Sequence, residues 1–104
     1  MKQTVVTSLV LFGLLAFGVG TVHAADAEER CEPMKDAATR ILMAREAFYP
    51  EDAVVQSAVQ GVESEAVAEL LRDSIAEIYA NTDMWEDEAR EMMFTRCVTL
   101  ARNS

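Results

Sequence analysis

Two cysteines, Cys31 and Cys97, stand near opposite ends of the charged part of this 104-residue chain. If they join, the start and the end of the folded unit must meet. An even cysteine count reads as a disulfide framework only in an oxidising compartment, so the pairing depends on where the protein goes. The stretch "TVHAADAEERCEP", residues 21–33, bears on that.

The chain opens Met1-Lys2-Gln3 and then runs apolar from Val5 to Val22. Val22-His23-Ala24 follows, before charge arrives in Asp26, Glu28, Glu29 and Arg30. A basic start, an apolar core and an A-x-A-like end predict a secretory signal peptide over residues 1–24, cleaved between Ala24 and Ala25. Gly13, Gly18 and Gly20 weaken the alternative, a retained membrane anchor. Lipidation of Cys31 is disfavoured because Glu28, Glu29 and Arg30 precede it, where that processing needs small apolar residues. The expectation is a periplasmic or secreted protein with no stable membrane association after cleavage.

Removing residues 1–24 of 104 leaves 80, predicted as one helical domain over 25–104 with a marginal core. Exported chains of that size often carry a covalent staple, and Cys31–Cys97 is the single bridge available. His23 is the only histidine, so the mature chain has none. Ser-His-Asp and Cys-His catalysis and histidine metal sites are thereby excluded. No other catalytic constellation is recognisable, and the chain is read as a non-enzyme without catalytic residues, cofactor or metal. The full chain has nine basic and eighteen acidic residues, and loss of Lys2 with the signal segment would leave eight against eighteen, a net charge of −10. That surface disfavours nucleic acid and anionic lipid and favours either solubility, as a solvated helix face, or a basic partner.

Helical spacing dominates the mature sequence. Pro33 suits a first helical turn, and Met34, Ala38, Ile41, Leu42, Phe48 and Tyr49 follow at three- and four-residue steps until Pro50. A short segment over 51–60 carries Ala53, Val54, Ala58 and Val59, with Gly61 as a C-cap. Val67, Leu70, Leu71, Ser74, Ile75, Ile78 and Tyr79 make a third stripe that Asn81 can end. Asp83 and Glu86 have capping-box spacing for a last helix with Trp85, Ala89, Met92, Met93, Cys97, Leu100 and Ala101 on its apolar side. The bridge then selects the topology. With three up-down helices Cys31 and Cys97 would lie at opposite ends; with four they lie at the same end. The expectation is an all-α, small four-helix up-down array with a short second helix, stapled by one disulfide.

Met34, Met43, Met84, Met92 and Met93 are better read as core filling than as a copper site. The acidic run "DMWEDEARE" lacks the glycine and alternation of a calcium loop and reads as a charged helix start. Glutamate pairs such as Glu65 and Glu69, or Glu88 and Glu91, lack the E-x-x-H companions of a di-metal site. Phe48, Tyr49 and Trp85 sit beside turns. They are the best candidate anchors for a protein partner, the alternative being that they close the bundle ends.

Cys31, Ile41, Met43, Arg45, Ile78-Tyr79, Phe94 and Cys97, with the early "AATRILMARE" helix, make a pattern that resembles small, uncharacterised exported helical proteins of proteobacteria and their phages. Ile78 departs from the alanine often found before the tyrosine. The resemblance implies export, helices and the bridge, and carries no activity. The functional expectation is a non-catalytic periplasmic interaction protein with an unidentified protein partner, of inhibitor or immunity type. The alternative is an acid-stress chaperone, in which protonation of the carboxylates drives the fold open by self-repulsion.

Overall fold

The computed structural model describes residues 24–103. The expected signal segment lies outside the described residues except for Ala24, which with Ala25 begins the first helix. The fold is all-α, with helices α1 (Ala24–Cys31), α2 (Pro33–Glu46), α3 (Glu51–Val59), α4 (Glu65–Ala80) and α5 (Glu86–Arg102).

The first two are one helix with a bend. Glu32 keeps helical angles, φ −54° and ψ −42°, but Pro33 has no N–H to donate back and its ring crowds the carbonyl four residues before it. The Glu32 N–H turns to Glu29 O at 3.4 Å instead. The four-helix expectation therefore holds, while its first helix starts earlier than Pro33. Over Asp26–Cys31 of α1, Ala27 and Cys31 are the buried residues, four apart in a stretch whose other positions are charged, which is too thin an apolar stripe to announce a helix.

Cross-links between helices give their directions. Arg102 pairs with Glu28 at 3.7 Å, Cys97 is bonded to Cys31 with Cα atoms 5.7 Å apart, Arg90 donates to Thr39 Oγ1 at 2.8 Å, and Thr39 donates to Glu86 at 2.9 Å. Numbers rise along α1–α2 as they fall along α5, so the two run antiparallel. Lys35 adds to the same seam, its ammonium 4.4 Å from the centre of the Phe94 ring. Arg96 reaches Ser74 at 3.2 Å and pairs with Glu77, while Trp85 follows the end of α4, so α5 is antiparallel to α4 as well. Arg45 donates to the carbonyls of Ile78 and Asn81, which sets the last turns of α2 and α4 at one end. The short α3 runs back between them, completing an up-down-up-down array.

The core is the stripe each helix offers inward: Met34, Ala38, Ile41 and Leu42 of α2; Val67, Leu70, Leu71, Ile75 and Ile78 of α4; Ala89, Met93, Val98 and Ala101 of α5. The disulfide is buried among them. Ser74 is the one buried polar side chain among the described residues, and Arg96 satisfies it. Among the described residues no helix is long and apolar enough to cross a membrane.

Closing 66 residues of sequence separation removes much of the unfolded chain's freedom, worth about 4 kcal/mol as an upper figure. Replacing both cysteines by alanine should lower unfolding stability by about 2–4 kcal/mol, read from urea midpoints against the oxidised protein. An unchanged midpoint would mean that helix packing alone sets the stability.

Candidate functional site

The end of the bundle away from the disulfide is built around the α2–α3 turn. After Glu46 the Phe48 N–H donates to Arg45 O at 3.0 Å and the Tyr49 N–H to Ala44 O at 2.9 Å, the paired bonds of a Schellman motif. That motif needs a left-handed residue after the cap, a place usually taken by glycine. Here Phe48 occupies it, with φ 65°. A side chain with a Cβ costs about 1–2 kcal/mol there. Pro50 begins the next turn at φ −63° and ψ 142°. The helix therefore ends three residues before Tyr49, and Phe48 and Tyr49 leave the core stripe on which their spacing had placed them.

Arg45 locks this turn to the neighbouring loop. Its side chain is only 10% exposed, and its guanidinium donates to Ile78 O and Asn81 O, both at 2.8 Å, and more weakly to Met84 O at 3.5 Å. These include carbonyls that the end of α4 leaves without helical partners, and a cation is favoured at that end of the helix dipole. Asn81 caps the same end through its N–H and its Nδ2 to Glu77 O, as its sequence position predicted. Tyr79 completes the latch by donating to Tyr49 O at 2.8 Å. Burial pushes the Tyr79 phenol above its ordinary range, Glu51 adds to this, and Arg45 partly opposes it.

Trp85 precedes α5 rather than lying on its apolar side. The predicted Asp83–Glu86 capping box is not the one formed: the helix starts at Glu86 with Trp85 as N-cap, and the Trp85 N–H donates to Glu88 Oε1 at 3.0 Å. An indole offers no acceptor, so only the backward half of a box can form here. The physical reason for the shift is that the chain turns at Asn81–Met84, closed by the Met84 N–H to Asn81 O at 3.0 Å, before helical geometry resumes.

Phe48 is 92% exposed, Trp85 77%, Met43 64% and Tyr49 61%. The three candidate anchors thus project from one end of the bundle instead of closing it. Trp85 and Met43 share an open groove of about 910 Å³ between α2 and the α4–α5 loop, with Thr39, Leu42 and Met84. Tyr49 lines a second groove, between α2, α3 and α4. Exposed Glu46, Glu51, Asp52, Asp83, Glu86, Asp87 and Glu88 flank the aromatic positions in sequence. Met43, read from the sequence as core filling with the other methionines, is exposed instead, because it lies one residue off the buried Met34–Ala38–Ile41–Leu42 stripe.

Among the described residues the other methionines divide between core and partial burial: Met34 and Met93 are fully buried, Met84 and Met92 half-buried. Among the described residues, no three His, Cys, Asp or Glu side chains converge as a metal ion would need. In comparisons with family models, curated proteins and solved structures the chain matches none. Its own residues carry the functional reading.

Removing the guanidinium with Arg45→Met should cost about 2 kcal/mol, because carbonyls accepting from a charged donor lose it together; hydrogen exchange at the Met84 amide should quicken. A raised Tyr79 pKa gives stability that is complete below the phenol's ordinary value of about 10 and is lost as pH rises through the folded value. Above about pH 10 the wild-type midpoint should therefore fall more steeply with pH than that of Tyr79→Phe.

Proposed function

We propose that the protein is an exported, periplasmic or secreted binding factor of inhibitor or immunity type, which docks a basic protein partner on the aromatic end of its bundle and carries out no catalysis. One observation carries the reading. Phe48 is held in a left-handed conformation that glycine would adopt without strain, and its ring lies almost wholly in solvent. It contributes almost no burial to the fold and burdens its backbone. Strain of this kind at an exposed residue is a pointer to function.

The neighbours supply the rest of a recognition surface. Tyr49 and Trp85 are large, amphipathic anchors of the type that dominates protein interfaces, and Arg45 and Tyr79 hold their turns rigid. The surrounding carboxylates match the net charge of the chain and select a basic partner. A disulfide and the absence of a membrane-crossing helix among the described residues are compatible with an exported protein.

Phe48→Gly separates stability from recognition. The variant should be more stable by up to about 1 kcal/mol, since relief of left-handed strain exceeds glycine's extra unfolded-state entropy. It should also bind the partner captured by periplasmic cross-linking at least about thirtyfold more weakly, the loss of a hot-spot anchor. Trp85→Ala should weaken the same partner without altering the unfolding midpoint. A Phe48→Gly protein that captures the partner as well as wild type would overturn the reading. Capture that repeatedly returns no specific partner at neutral pH would favour the acid-activated chaperone instead. That reading draws on the arginine–carboxylate pairs Arg102–Glu28, Arg90–Asp36 and Arg96–Glu77, which tie α5 to its neighbours and which acid would break.

A further inference from the structure

The groove between α2, α3 and α4 has a character different from the aromatic end. It encloses about 420 Å³, within the roughly 300–1,000 Å³ range of small-molecule sites. Its floor is apolar: Ile41, Ala58 and Leu71 are buried and Val54 half-buried. Its rim carries exposed Tyr49 and exposed Arg40, and no carboxylate lines it.

Arg40 is unusual on this surface. Lys35, Arg45, Arg72, Arg90, Arg96 and Arg102 each face a carboxylate within 4 Å. Arg40 has neither an ion-pair nor a hydrogen-bond partner among the described residues. On a chain with twice as many acids as bases, a guanidinium without a carboxylate stands at the mouth of an apolar recess. Guanidinium groups favour carboxylates through paired, planar hydrogen bonds.

We infer that this groove binds a free monoacyl carboxylate, a single-chain fatty acid whose hydrocarbon lies over Ile41, Ala58 and Leu71 and whose head group meets Arg40. The short α3 makes such a site possible. Ala53 and Ala58, with Ala37 and Ala44 of α2, leave room where larger side chains would close the space. The site is separate from the Trp85 groove and shares only Tyr49 with the aromatic end.

The test uses disulfide-bonded protein recovered from cells and decanoate as probe, below its micelle concentration, followed by methyl and indole NMR shifts. Decanoate should shift Ile41, Val54 and Leu71 and leave the Trp85 indole unmoved. It should bind about tenfold tighter than decanol and weaken with salt. Arg40→Gln should remove that advantage while leaving decanol binding unchanged. Ala53→Phe, at an exposed rim position that the core does not need, should block both ligands. Equal affinity for decanoate, decanol and decyltrimethylammonium would overturn the assignment, as would unaltered decanoate binding by Arg40→Gln. Retention on anionic vesicles with no decanoate binding would also overturn it and point to a membrane-surface role for Arg40.

Discussion

The covalent tie at the proline bend governs the rest of the fold. Cys31 lies where α1 meets α2, and Cys97 lies five residues from the end of α5. Joining them brings the start and the end of the array together, so the helices between must leave and return an even number of times. A chain with so few large apolar residues per helix gains from having that choice imposed. Ala27, Ala38, Ala89 and Ala101 contribute little area each, and burial alone scales with area.

At the opposite end no covalent link exists, and a charge does the comparable work. Arg45 is nearly buried and is directed at the carbonyls with which α4 and the following loop end. Its adjacent carboxylate, Glu46, is mostly in solvent. The helix end and the guanidinium therefore satisfy each other, and the arrangement is directional in a way that a hydrophobic contact is not. With Tyr79 bonded to Tyr49 O, two turns that would otherwise move independently become one platform. A rigid platform lowers the entropy cost of binding through exposed aromatics. Strain at Phe48 can persist there because the surrounding hydrogen bonds over-determine the turn.

Much of this was legible from residue spacing. The α4 stripe from Val67 to Ile78 is buried as its period required, and Gly61 takes the left-handed position after α3, at φ 81°. The bridge selected four helices over three before any contact was known. Three features were hidden, each for a physical reason. The helix α1 buries the small residues Ala27 and Cys31 between charged neighbours and has a proline after it, so neither period nor punctuation marks it. The start of α5 lies beyond Asp83 because the loop's own hydrogen bond holds that residue outside the helix, and capping residues in sequence specify possibilities rather than choices between them. Exposure of Phe48 depends on a left-handed residue, which sequence assigns to glycine by default and which only backbone geometry reveals for phenylalanine. Of the candidate site, the aromatic positions were readable and their shared end followed from topology. The Met43–Trp85 groove and the Arg45 latch were not, because both join residues far apart in sequence.

The distribution of charge separates the two surfaces. Most basic residues are engaged within the molecule, and α5 alone contributes Arg90, Arg96 and Arg102 to ties with the other helices. The excess carboxylates are left to the solvent and gather beside the aromatic turns. An acidic field there favours approach of cations and repels anions, over a range of about 10 Å at moderate salt. Arg40 lies about two and a half turns of helix beyond Cys31 and beside a recess without acids. It can hold an anion because no internal carboxylate competes for it. On the two proposals made above, one small bundle presents two faces of opposite preference, an aromatic end for a basic partner and an apolar groove for an anion, with Tyr49 lining the groove and belonging to the aromatic end. Because Tyr49 O also receives the Tyr79 hydroxyl, anything that displaces the Tyr49 turn from one face must disturb the other.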